Sequence, residues 1–282
     1  MQLKNMRLQL NKTGINIPQK ADKYLNSIVP FLHRALGDDL RSIIIFGSIV
    51  KGYCTKESDA DILIVVSDKV SKKKIKYLNR VLMAFEIKCG YLKPKKNIIQ
   101  SILYCVDKST GMFISHFICR EKEFLSGKFA KVFSVNKIMA AILAPNDIVM
   151  GSVIGRAHTL YGENLVKKTK LPKVSVFQLL KSAIMNGLTA IGGLITVPFD
   201  KRATLYEMES FKWSLLASYY YVHNDCPNIN EIIQYFEKLK VCPKALKTWT
   251  GLRKKYQEHL KFSLFVPLNV LQIHLSVIGK PK

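Results

Sequence analysis

Ile43–Val66 reads IIIFGSIVKGYCTKESDADILIVV, and the two ends of this stretch are continuous apolar runs of the kind that fill a buried strand. The first run, Ser42–Phe46, stops at Gly47-Ser48, and the second, Asp59–Val66, opens on Asp59-Ala60-Asp61 before becoming wholly apolar. Side chains two apart on a strand share a face, so Asp59 and Asp61 are expected to project together. Two carboxylates held that close repel unless cations neutralise them, and a pair of Mg²⁺ ions would do so. Gly47 would let the backbone approach a phosphate, and a helix starting at Ser48 would aim free N–H groups at it. The Ser48 hydroxyl adds a donor. Lys51, one turn on, adds charge for the outer phosphates, and Ser58 is a weaker phosphate contact.

Outward from this stretch, Ile17–Leu36 places Ala21, Tyr24, Leu25, Ile28, Leu32 and Leu36 near a 3.6 period and is expected to be a helix. Ser71–Lys88 reads as a basic amphipathic helix. Ile98–Val106 and Met112–Arg120 read as two strands joined by a turn at Asp107–Gly111. Helical patterns follow over Lys137–Val149, Val174–Ile195, Leu205–Val222 and Ile229–Leu239, with Lys167–Lys173 (KKTKLPK) as the linker. Val270–Val277 alternates and suggests a strand, although Leu264, Leu268, Leu271, Leu275 and Ile278 fit a helix nearly as well. Strands first and helices later imply an α/β front domain and a helical back domain.

Gly47-Ser48, ten intervening residues and Asp59-x-Asp61 between two apolar strands resemble the nucleotidyltransferase superfamily of DNA polymerase β type. Minimal, antibiotic-modifying and CCA-adding nucleotidyltransferases belong to it. The resemblance spans roughly Ile17–Arg120. It implies a mixed sheet with flanking helices over residues 1–166 and an all-α acceptor domain over 174–282. It also implies transfer of a nucleoside monophosphate from an NTP to an acceptor hydroxyl, with RNA or a tRNA end favoured by the charge and a small hydroxylated molecule or a protein side chain as alternatives. Asp59 and Asp61 would then be the catalytic ligands of Mg²⁺ (or Mn²⁺), with Gly47, Ser48, Lys51 and Ser58 on the nucleotide. Leu160–Leu165 (LYGENL) resembles the segment that often closes such catalytic domains. Asp200–Thr204, Glu209 and Lys212-Trp213 resemble, more faintly, the helical domain of the antibiotic-modifying branch. Tyr219-Tyr220-Tyr221 would stack bases or pack in a core.

The family usually carries a third acid on a later strand, where this chain has Ser115 and His116 in FISHFIC. Glu86, Asp107, Glu121 and Glu123 are not well placed for that role. His116 is therefore a candidate base, against the plainer reading of a half-buried structural histidine. The missing acid also motivates a rival: a member of the fold that has lost turnover and serves as an RNA-binding or scaffolding protein.

The 282 residues carry 44 Lys and Arg against 20 Asp and Glu, a formal charge of +24. Ser67–Gln100 holds ten basic side chains and two acids, and Lys238–Lys261 eight and one. Such runs point to a polyanionic partner, RNA first, with a solvated surface or an acidic membrane surface as alternatives. With 48% hydrophobic residues, disorder is excluded. Six cysteines without metal or disulfide spacing suit a reducing, cytoplasmic setting. MQLKNMRLQLNK lacks the apolar core of a signal peptide. Ser182–Phe199 and Phe262–Gly279 are free of charge, but their Pro, Asn, Thr, Gln and His residues argue against membrane spans.

Overall fold

Leu40–Ile45 (β1) and Ile62–Val66 (β2) pair antiparallel, with Ile45 opposite Ile62 and Ile43 opposite Ile64. In this computed structural model the described residues are 17–50, 60–91, 115–142, 144–169, 174–196 and 203–280. The chain divides into two compact units, Met1–Ala140 with Val153–Leu171, and Ala141–Ser152 with Pro172–Lys282.

Among the described residues the first unit is built on a four-stranded sheet. His116–Arg120 (β3) runs parallel to β2, and His158–Gly162 (β4) runs antiparallel to β1, giving the order β3-β2-β1-β4. Gln19–Leu36 (α1) buries all six of its expected stripe residues, and Lys72–Lys88 (α2) is capped by the Ser71 hydroxyl, which accepts from the Lys74 amide. Both helices cover one sheet face, where Ile43, Ile45, Ile62, Ile64 and Ile118 join Leu25, Ile28, Leu78 and Leu82 in one core. Alternate residues turn to the other face. There Phe117 and Phe133 meet edge to face at 4.9 Å, with Phe46 and Phe129 beside them. Short helices α3 (Glu121–Leu125) and α4 (Phe129–Val132) follow β3.

Three expectations change in this region. The strand predicted from Asp59 begins at Ile62. Its hydrogen bonding nevertheless reaches one residue back, because the Phe46 N–H donates to the Asp61 carbonyl at 3.0 Å. The helix predicted over Lys137–Val149 is two helices, α5 (Lys137–Ile142) and α6 (Asn146–Ile154). Pro145 cannot continue a helix but can begin one, and its carbonyl accepts from Val149. β4 had no counterpart in the sequence reading. The strand predicted over Ile98–Val106 lies outside the described residues.

The second unit is helical: α7 (Val176–Thr196), α8 (Ala203–His223), α9 (Ile229–Lys238), α10 (Pro243–Lys254) and α11 (Leu260–Leu275). The suggested strand at Val270–Val277 is thus the end of a helix. Val266, Val270, Ile273 and Val277 recur at helical intervals on its buried side. α8 packs on both α7 and α11, and its small Ser210, Ser214 and Ser218 are buried. Trp249 closes the core, donating its indole N–H to the Met208 carbonyl at 3.0 Å and lying 5.8 Å from Phe211.

Candidate active site

Gly47–Val50 is a turn immediately after β1, and Gly47 has φ +74°, a left-handed conformation open to glycine at little cost. A β-carbon there would fall 1.9 Å from Oδ2 of Asp61 and 2.8 Å from its Cγ. The Asp61 carboxylate therefore rests against the bare backbone of Gly47. Both the glycine and the acid are fixed by the β1–β2 ladder, so their juxtaposition is a property of strand register. Ser48 is half-buried in the same turn. The helix expected to start at Ser48 is, over Gly47–Val50, this turn. Lys51, Ser58 and Asp59 lie outside the described residues.

The parallel register of β2 and β3 places Ser115 level with Asp61, since Ile62 is paired with His116 and its N–H donates to the Ser115 carbonyl at 2.8 Å. The position of the expected third acid is thus held by a buried serine.

His116, expected as a candidate base beside the carboxylates, is instead a core residue. It shares the face of Ile62, under the helices, whereas Asp61 precedes Ile62 and belongs to the opposite face. Its Nδ1 is 2.6 Å from Oε1 of Glu86 on α2, both side chains being buried, and the Tyr24 hydroxyl is 3.5 Å from the same oxygen. Burial, reinforced by that carboxylate, pushes the Tyr24 phenol well above its ordinary range. From the sequence Glu86 is considered only for the third-acid role, not as a buried partner of His116. Its signal was present: it follows Leu78 and Leu82 at intervals of four, an acid on an apolar stripe.

Gly162, in the LYGENL segment, ends β4 with φ +78°, and a β-carbon there would sit 2.0 Å from the Arg41 carbonyl of β1. That close approach gives the segment its physical reason. Of the acceptor-side residues, Asp200, Lys201 and Arg202 lie outside the described residues. Thr204 donates its hydroxyl to Glu258, and Lys212 pairs with Glu209. Tyr220 and Tyr221 are buried in the helical core, and Tyr219 lies tilted over His223 and edge to face with Tyr235.

A β1–turn–β2 unit that sets an acid against a bare glycine, under a helix-covered mixed sheet, defines a class of protein. Residues 25–121 match the nucleotidyltransferase domain family, so the chain carries a nucleotidyltransferase domain over that span. Among solved structures, the fold is similar to that of the spectinomycin adenyltransferase AAD(9) from Enterococcus faecialis with ATP and spectinomycin. The two share 12% identity with a TM-score of 0.53, over 90% of this chain and 98% of that one. No curated protein sequence matches significantly. Among the described residues no helix is long and apolar enough to cross a membrane.

Proposed function

We propose that the chain moves a nucleoside monophosphate from an NTP to an acceptor hydroxyl, with pyrophosphate leaving, at the turn between β1 and β2. The observation that supports this is the Asp61 carboxylate seated on Gly47. It brings an anionic ligand and an unobstructed backbone to one place. Gly47 admits a phosphate, the Ser48 hydroxyl donates to it, and Lys51 and Ser58 add contacts from the connecting segment. Carboxylate oxygens suit a hard cation, so Asp61 with Asp59 would hold Mg²⁺ or Mn²⁺, which supplies charge neutralisation on the triphosphate. Among the described residues no group of three or more His, Cys, Asp or Glu side chains forms a metal cluster. We assign His116 a structural role, holding α2 to β3 through Glu86.

For the acceptor we favour a small hydroxylated molecule. The likeness to a fold whose structure holds ATP and spectinomycin runs through both units of this chain, not the catalytic one alone. A second reading, RNA, is supported by the charge of +24 and by a basic concavity of about 310 Å³ on α10 and the start of α11, lined by Lys247, Lys255, Gln257 and His259.

Incubation with each α-labelled NTP and Mg²⁺ or Mn²⁺, with hydroxylated aminocyclitols in one arm and total RNA in the other, separates the readings. Label in the small-molecule fraction is the expected result. Label in RNA selects the second reading, and no label in either arm contradicts the proposal and leaves the inactive, RNA-binding or scaffolding rival.

A further inference from the structure

The two charge-free stretches of the sequence, Ser182–Phe199 and Phe262–Gly279, fall largely on α7 and α11. On α7, Phe177, Leu180, Ile184, Leu188, Ile191 and Ile195 form a row at intervals of three and four. On α11, Leu260, Leu264, Leu268, Leu271 and Leu275 continue to Ile278 in the same rhythm. These twelve side chains are 47–67% exposed. The core does not need them: α7 and α11 already meet through the buried Ser182–His274 contact, and α8 packs on both from within. Ordinary surface helices carry charge where these carry leucine and isoleucine.

We propose that these rows are the interface through which two copies of the chain associate, α7 and α11 of each packing against those of the other. Three observations favour a second copy. At roughly 80 Å² apiece the twelve side chains present about 1,000 Å², above the ~300–600 Å² of a typical monomer's largest patch and the ~800 Å² per partner of a standard interface. Intervals of three and four match the ridges and grooves of another helix pair crossing at about 20°, and a two-fold axis supplies an identical apolar row as the complement. The rows also carry few of the Lys and Arg that line the polar face of a helix lying on a lipid surface. Within Phe177–Ile195 and Leu260–Ile278 there are two, the buried Lys181 and the exposed Lys261, although the chain as a whole has 44. Two chains of +24 repel at long range, and salt screens that repulsion while leaving the apolar contact intact.

Sedimentation velocity on the nuclease-treated full chain, from 1 to 100 µM and at 0.05 and 0.5 M NaCl, tests this. The expected species has twice the 32.1 kDa chain mass and is favoured by the higher salt. Leu188→Glu with Leu271→Glu should weaken the dimer at least tenfold with circular dichroism and melting unchanged. Should that pair unfold the chain, Leu188→Gln with Leu271→Gln reads the same point. A monomer throughout, or a dimer indifferent to both pairs, overturns the proposal. So does a monomer that binds phosphatidylserine vesicles and loses that binding in the variants, which would make the rows a membrane face.

Discussion

The sheet unit and the helical unit bury their ionisable groups in opposite ways. In the sheet unit the buried acid, Glu86, has a partner: His116 at 2.6 Å, with Tyr24 close by. In the helical unit Glu207 is fully buried on α8, against Gly193 of α7, and among the described residues neither carboxylate oxygen has a hydrogen-bond partner. Burial pushes its pKa up to about 7. His274 on α11 is buried too, and is accommodated as a neutral ring. Its Nδ1–H donates to the Val270 carbonyl, its Nε2 accepts from the Ser182 hydroxyl, and burial pushes its pKa down to about 4. A paired carboxylate locks a helix to a strand, whereas a lone one makes its unit sensitive to pH.

The largest effect should come from breaking the pair. Glu86→Leu leaves His116 buried without its acid and should cost about 3–5 kcal/mol by denaturant unfolding, as His116→Leu should in reverse. The double variant should recover most of that loss. If the single changes cost under about 1 kcal/mol, Glu86 and His116 are not a coupled pair.

Next comes the lone acid. Folded Glu207 keeps its proton to about pH 7, whereas the unfolded chain gives it up near pH 4.5, so stability is lost as pH rises across that window. Glu207→Gln should remove this slope and leave the variant more stable than wild type at pH 8, by up to about 3 kcal/mol. Equal melting temperatures at pH 5 and pH 8 in both proteins would contradict it.

His274 has the opposite sign. Its folded pKa lies below its unfolded value of 6.5, so stability is present above that value and lost as pH falls towards 4. His274→Asn should flatten melting temperature between pH 4 and 6.5. The gain is partly offset by the loss of the ring's two hydrogen bonds, which makes the net effect smaller than that of Glu207→Gln. The smallest effects compare the helix caps of the two units. Ser71 caps α2 through the Lys74 amide, and Asn228 caps α9 through the amides of Asn230 and Glu231. Alanine at either should cost about 1 kcal/mol, and a silent Asn228→Ala would remove that cap's contribution.

The elements legible in the sequence are those whose pattern had one physical explanation. IIIF and ILIVV, short apolar runs bounded by Gly47 and by Asp59–Asp61, are buried strands as their length and flanks indicate, and the α1 stripe matched burial residue for residue. β4 escaped because HTLYG is an edge strand with only Leu160 buried, so it shows no apolar run. The end of α11 was ambiguous because a helix apolar on both its core and its outer side offers alternation as readily as a 3.6 period. At the site, the spacing set Gly47-Ser48 and Asp61 at neighbouring ends of two apolar strands, but the close approach of the Asp61 carboxylate to Gly47 came only with the folded backbone. The displacement of His116 to the far face did not, because one residue of register between two parallel strands decides it, and that register depends on contacts distant in sequence.

Gly47→Ala tests the central claim most directly, since it adds one carbon and no charge. That carbon would meet Asp61 Oδ2 at 1.9 Å on a backbone of φ +74°, so the acid must move. If nucleotidyl transfer occurs at this turn, single-turnover transfer from α-labelled NTP should fall about 10²–10⁴-fold in Gly47→Ala, and at least as far in Asp61→Asn, with the circular dichroism of wild type. Near-wild-type transfer in a folded Gly47→Ala chain would contradict the account and place the chemistry elsewhere.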